Sequence, residues 1–305
     1  MYRIIRSRQD IAPVMKQKVS KIKDEWSSAE IEYLTFPSLE RTGIVEHLFT
    51  TRMGGVSQGF FSTMNLSFTR GDDTSAVLRN YERVGKVLGC EVTNMVASHQ
   101  THTTNIRRVT AADRGKGIVF PRDYDDMDGL ITDEKNIALV TYFADCVPIY
   151  LVDPVQGAIG LAHSGWRGTV GKMGSCMVKA MQEAFGSNPR DMIAAIGPSI
   201  CQECYEVSAE VALEFEKLLQ EIDGERYLSE ITYCSDAAVI KPGKQEGKYQ
   251  LDLWLANWLI LRYAGIPLEQ IEMTDVCTCH NPDYLFSHRA SEGKRGNLAA
   301  FLMLK

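Results

Sequence analysis

Cys146-Val147-Pro148-Ile149-Tyr150-Leu151-Val152-Asp153-Pro154-Val155-Gln156-Gly157-Ala158-Ile159-Gly160-Leu161-Ala162-His163 reads as strand, turn, strand. Asp at the first turn position can bond the backbone that follows, and Pro at the second presets φ, which together suit a type I turn. Pairing Asp153 with Gln156 makes facing residue numbers sum to 309, so Cys146 stands opposite His163, with Cα atoms roughly 4.5 to 5.5 Å apart. A bulge at Gly157 would move that register by a residue or two. A thiol and an imidazole held side by side are either metal ligands or a nucleophile and its base.

Outward from the hairpin, strand-like and helix-like stretches alternate from Ile31 to the end with no low-complexity linker and no internal repeat. Helices are expected over 75–89, 168–185, 208–221 and 252–264, with Thr74 capping the first and Asp252 the last, which stops at Gly265 and Pro267. Trp254 and Trp258, with Leu251 and Leu261, form a core stripe on that last helix. Strands are expected over 45–51, 94–98, 137–143, 147–152, 158–163, 192–196 and 271–276. Strands outnumber helices and partly form hairpins, which implies an α/β fold of mixed α+β character: a layered mixed β-sheet core with covering helices. Residues 1–30, polar and dotted with lysines, read as a peripheral N-terminal lead-in, and 31–305 as one catalytic domain.

The 305 residues are 45% hydrophobic, enough for one large core or two modest ones. A net charge of -6 argues against a nucleic-acid partner, because a phosphate-reading surface leaves a basic excess. Small molecules are the expected partners, with no obligate protein partner evident. No run approaches the length of a membrane span and the N-terminus lacks a secretory signal, so the chain is expected to work in the cytoplasm, away from membranes. In that compartment eight cysteines point to metal binding, catalysis or plain burial before disulfides.

Other residues can carry chemistry. Ser98-His99-Gln100-Thr101-His102 ends a short strand, and one histidine from it, joined to Cys146 and His163, would make the three-ligand set of a catalytic zinc site. Gly165-Trp166-Arg167-Gly168-Thr169-Val170-Gly171-Lys172 runs from strand into helix. Free N–H groups there, with Arg167 and Lys172, would favour an anion. It is not a P-loop, since Trp166 and Met173 occupy positions that need Gly and Ser or Thr. Arg52 and Asn65 belong to glycine-containing loops, and Asp128-Gly129 reads first as a turn whose carboxylate matters if it lands near the metal. Cys201-Gln202-Glu203-Cys204 and Cys277-Thr278-Cys279-His280 would together supply a structural zinc site, although a single residue separates Cys277 from Cys279.

Taken together, the ordered motifs resemble the YfiH/YlmD-like purine nucleoside phosphorylase family, also known as laccase-domain, polyphenol-oxidase-type or peptidoglycan-editing-factor proteins. The resemblance spans roughly residues 33 to 305 and rests on Glu46-His47-Leu48-Phe49-Thr50-Thr51-Arg52-Met53-Gly54-Gly55-Val56-Ser57, Asn65-Leu66-Ser67, His99-Gln100-Thr101-His102 and Asp128-Gly129-Leu130-Ile131-Thr132. Further along come Ala144-Asp145-Cys146-Val147-Pro148-Ile149, Ala162-His163-Ser164-Gly165-Trp166-Arg167-Gly168, Ile196-Gly197-Pro198-Ser199-Ile200, Cys204-Tyr205-Glu206-Val207 and Phe286-Ser287-His288-Arg289.

The resemblance implies a Zn2+ site built from His102, Cys146 and His163, with Cu2+ as a possible substitute and His99 outside the ligand set. Thr103 stands where the family has glycine. It also implies phosphorolysis of adenosine, inosine, guanosine and methylthioadenosine, and deamination of adenosine. Zinc suits deamination because it acidifies water. Asp128 or Asp145 would move the proton, while Arg52, Arg167, Asn65 and the backbone at Gly165 would hold substrate and phosphate. Three rivals remain. One is a cysteine amidase in which His163 activates Cys146, in line with a related Cys-hydrolase-like fold. Another is peptidoglycan editing on muropeptide precursors. Copper-dependent phenol oxidation is the last, and six scattered histidines serve a multi-copper centre poorly.

Overall fold

The computed structural model describes residues 3–6, 14–24, 27–229 and 237–305; Cys234 lies outside them. Two six-stranded sheets stack face to face. The first runs in the order Lys16–Lys23, Ser28–Thr35, Val45–Thr50, Leu298–Leu304, Ala138–Phe143, Met95–Ala97. In the second the order is Ile271–Met273, Ile193–Ile196, Val147–Asp153, Ala158–Ser164, Gly129–Thr132, Ile106–Arg108. Both are mixed: Met95–Ala97 runs parallel to Ala138–Phe143, and Ile193–Ile196 parallel to Ile271–Met273. Within the first thirty residues, Lys16–Lys23 forms an edge strand whose lysines face outward and keep that edge from pairing further.

Strand alternation sorts the core into layers. Phe49, Leu139, Phe143 and Leu302 of the first sheet meet Tyr150, Val152, Ile159 and Leu161 of the second. The opposite face of the second sheet, with Ile149, Leu151 and Ala162, packs on helices Met173–Phe185 and Leu253–Tyr263. Leu48, Val140 and Phe301, on the far side of the first sheet, are covered by Val77, Tyr81 and Val84 of helix Thr74–Leu88. Central strands are therefore buried on both faces, and all seven residues of Val147–Asp153 are. The layered mixed core with covering helices is as expected, and no helix among the described residues is long and apolar enough to cross a membrane.

Several local expectations are corrected. Asp73, not Thr74, caps the first long helix, its carboxylate accepting from the Ser75 N–H. The helix expected over 168–185 is two helices, Trp166–Val170 and Met173–Phe185, because Lys172 takes a left-handed φ of 59°. A side chain on Gly171 would meet Thr104 at 2.7 Å, so this break lets the chain pass close to the 104 segment. Every residue from Leu253 to Leu261 is buried, so the last helix is a core helix all round and not a stripe. Asp252 caps it as expected, accepting from the Leu255 N–H.

His47 gives a pH prediction. It lies buried on strand Val45–Thr50, its Nε2 accepting the Phe36 N–H at 2.8 Å, between the rings of Phe36 and Tyr150. Burial lowers its pKa from 6.5 to about 4 against the opposing charge of Glu40. The native state thus refuses a proton that the unfolded chain accepts. Stability from this group is complete above pH 6.5 and falls as pH drops toward 4, by up to roughly 3 kcal/mol. Urea unfolding of the parent and of His47→Gln between pH 7.5 and about 4.5 checks this, the variant lacking that component of the slope.

Candidate active site and metal centre

Strand pairing in the hairpin sets Val147 opposite Ser164, Pro148 opposite His163 and Asp153 opposite Ala158, two residues from the expected register. The turn carries four residues, with Gly157 at a left-handed φ of 64° and the Asp153 carboxylate accepting from the N–H groups of Val155 and Gln156. Because side chains alternate with period two, a shift of two leaves each on its face. Cys146 and His163 therefore remain on one face as diagonal neighbours.

His102 joins them from the loop after strand Met95–Ala97, with its own φ at 68°. What bends that loop is Asp128. Its fully buried carboxylate accepts from the N–H groups of Thr101, His102 and Thr103 at 2.9, 3.1 and 3.1 Å and from the Thr103 hydroxyl at 3.2 Å. It also takes the His163 Nδ1–H at 2.7 Å. One carboxylate thus fixes both histidines. Sγ of Cys146 and one ring nitrogen each of His102 and His163 all lie within 4.8 Å of one another, a group that could hold a metal ion. Gly165 makes room for it: a Cβ there would lie 3.0 Å from the Cys146 Sγ and 3.1 Å from the His102 ring.

Electrostatics favour the thiolate of Cys146 and the protonated ring of His163, a pair that a metal ion would bind by displacing the imidazole proton. Burial raises the Cys146 thiol, but the charge of His163 and hydrogen bonds with both histidines reverse that and bring it down to about 6. Burial opposes protonation of His163, while the Cys146 thiolate and Asp128 raise it to about 9. Burial likewise works against the Asp128 carboxylate, yet His163 and the backbone donors hold its pKa below the usual value.

A cavity of about 340 Å³ opens above these three residues, within the range of small-molecule sites. Its walls include Gln100 and Tyr142, and three cations reach it that spacing alone did not reveal: Arg70, Arg122 and Arg295. Arg295 is half-buried and its Nε–H finds no partner among the described residues. Burial, with Arg70 adding to it, lowers the Arg295 pKa to about 10 against the charges of Asp145 and Cys146, and its Nη1 donates to the Gly296 carbonyl and the Asn297 side-chain oxygen.

Of the other expected residues, Arg52, Asn65, Asp145 and Arg167 lie outside the cavity lining and His99 within it. Arg52 spends its guanidinium on the Ser62 and Pro282 carbonyls and lies over the Phe286 ring, outside the residues that line the cavity. Arg167 is exposed above Trp166. Asn65 is buried, its side-chain oxygen accepting from the Ser67 and Asn297 N–H groups, which ties the Arg70 loop to the Arg295 segment. Asp145 accepts from the Thr278 hydroxyl at 2.6 Å and the Arg289 N–H at 2.7 Å. His99 lines the cavity with Nδ1 3.1 Å from Asp125. The two cysteine-bearing segments also meet, in a separate group of Cys201, Cys204, Cys277 and His280.

A family model described as multi-copper polyphenol oxidoreductase laccase matches residues 46–305. Purine nucleoside phosphorylase YlmD of Bacillus subtilis (strain 168) is 39% identical over 261 residues, 84% of this chain and 87% of that protein. Adenosine deaminase RL5, from an unknown prokaryotic organism, is 32% identical over 247 residues, 80% of this chain and 88% of its own. The crystal structure of YlmD from Geobacillus stearothermophilus matches with a TM-score of 0.79 at 31% identity, covering 96% of this chain and 100% of the other. By the extent of these matches, the chain belongs to the YfiH/YlmD-type purine nucleoside phosphorylase family, the laccase-domain family of the matching model.

Proposed function

We propose that the chain is a zinc enzyme of purine nucleosides, cleaving adenosine, inosine, guanosine and methylthioadenosine with phosphate and deaminating adenosine. The observation that carries this reading is the meeting of His102, Cys146 and His163 beneath a cavity edged by Arg70, Arg122 and Arg295. Two imidazoles and a thiol of lowered pKa suit a borderline-soft divalent ion, and the Asp128 to His163 hydrogen bond fixes the tautomer that ligation needs. A zinc ion held there supplies Lewis acidity and lowers the pKa of water. Asp128 positions: saturated and buried behind His163, it orients two ligands instead of carrying a proton. Arg295, Arg70 and Arg122 offer the phosphate clamp, in place of Arg52 and Arg167. Asn65 keeps two of those cations together.

Incubating adenosine with the protein and resolving the products by chromatography tests the reading: adenine with phosphate present, and inosine without it. Neither product would refute it. Arg295→Gln should raise the phosphate KM roughly 10- to 100-fold, the worth of one or two charge-assisted hydrogen bonds. Deamination, which consumes no phosphate, should be unchanged within about twofold, so the same protein provides its own control.

One observation favours the amidase reading, including its muropeptide form: Cys146 at about 6 and His163 at about 9 describe a thiolate beside an imidazolium. Chelators that leave activity intact, together with inactivation by thiol alkylation, would select it. The name of the matching model notwithstanding, of the two Cys/His groups among the described residues one has two imidazoles and the other a single one, which gives multi-copper oxidation little to build on.

A further inference from the structure

Cys201 and Cys204 begin and end a short turn, Cys201 leading into the 3-10 turn Gln202–Cys204. Cys277 and His280 come from the loop after strand Ile271–Met273, bridged to the first segment where Ser199 pairs with Cys277. None of the four takes part in the site described above. Their donor atoms, three Sγ and one ring nitrogen, nevertheless all lie within 4.8 Å of one another. Cys201 Sγ is 3.7 Å from His280 Nδ1, and Cys204 Sγ is 3.2 Å from His280 Nε2. Tetrahedral zinc, with bonds of roughly 2.0 to 2.3 Å, sets its ligand atoms about 3.3 to 3.8 Å apart. The Cys201 Sγ to His280 Nδ1 distance is already of that size, and the four donor atoms stay within 4.8 Å of one another.

We infer that Cys201, Cys204, Cys277 and His280 bind a second metal ion of the zinc class, in a closed structural site distinct from the one at Cys146. Four donors fill a tetrahedron, so no position remains for substrate. His280 offers one ring nitrogen to the ion, either Nδ1, which faces Cys201, or Nε2, which faces Cys204. A disulfide would use two of the sulfurs and strand the third beside the imidazole. All seven cysteines among the described residues are free thiols.

The place of the cluster gives it a task. Thr278, between Cys277 and Cys279, donates to Asp145, and Arg289 donates its N–H to the same carboxylate and a guanidinium N–H to the Cys204 carbonyl at 3.0 Å. The Ile200 N–H, next to Cys201, donates to the Asp145 carbonyl at 3.0 Å. Asp145 holds a left-handed φ of 87° immediately before Cys146. A metal joining the 201–204 turn to the 277–280 loop would therefore clamp the backbone that aims Cys146.

Metal content decides the matter, measured by mass spectrometry on protein purified without chelators and on Cys146→Ala, with cobalt(II) replacing zinc as a spectroscopic probe. Two equivalents are expected in the parent and one in Cys146→Ala. That remaining cobalt should keep strong thiolate-to-metal charge-transfer absorption, with three of the four bound thiolates left. Cys204→Ser should lose the other equivalent; if it does not fold, the first two proteins decide alone. A Cys146→Ala protein with no metal, retained cobalt without thiolate absorption, or a disulfide among Cys201, Cys204 and Cys277 by intact mass would each overturn the inference. None of these outcomes depends on nucleoside activity.

Discussion

Cys146→Ala is expected to remove one equivalent of metal per chain and to lower kcat/KM for both adenosine reactions by at least about 10³-fold. The size follows from the position. Cys146 supplies the only sulfur of its group and carries a thiol drawn down to about 6 by the two histidines, so its loss leaves two imidazoles for a cation. Two neutral donors hold zinc far more weakly than two donors plus a thiolate. Metal analysis and product chromatography on the same preparation check both halves. The variant also separates the rival chemistries. If Cys146 is a ligand, stripping the parent with a chelator reproduces the defect of the variant. If it is a nucleophile, stripping does nothing.

Asp128→Asn is expected to weaken metal binding at His102, Cys146 and His163 by roughly 10- to 100-fold, with activity falling at least in step. It is also expected to cost roughly 3 kcal/mol of stability, because a buried charged acceptor with several donors is replaced by a group that must itself donate. An amide oxygen can still take the His163 Nδ1–H or the loop N–H groups, but its NH2 then faces the remaining donors. Zinc titration against a competing chelator reads the first effect and urea unfolding the second. Loss of stability with unchanged metal affinity would mean that Asp128 holds the loop but does not orient His163.

The nearness of Cys146 and His163 was legible in the sequence because they sit at the two ends of one recognisable hairpin, whereas the choice of His102 over His99 came from the resemblance and not from strand positions. The register error of two residues came from Gly157, whose left-handed conformation lengthens the turn, and it spared the geometry because it preserved side-chain parity. Arg70, Arg122 and Arg295 were not legible. They come from three loops far apart in the chain, and no local spacing marks cations that converge only after the sheets pack. Conversely, Arg52 looked functional beside its glycines, yet carbonyl oxygens and the Phe286 ring occupy it.

Burial explains the rest. Asp128 read first as a turn and, through the resemblance, as a proton carrier; it braces both histidines because strand Gly129–Thr132 carries it under the His102 loop. The run Leu298–Leu304 lies centrally in the first sheet, although an apolar stretch of that length does not by itself distinguish a strand from a buried helix. Cys201 and Cys204 lie more than seventy residues before Cys277 and His280; their cysteine spacing grouped the two segments in the sequence, and the bridge between Ser199 and Cys277 is what brings them together.

One metal at His102, Cys146 and His163 is expected to serve both nucleoside reactions. The most direct test is to deplete the protein of metal, measure phosphorolysis and deamination of adenosine side by side, and repeat both while zinc is restored. Both activities should vanish together and return together. Either one persisting at its original rate in metal-free protein would contradict the account.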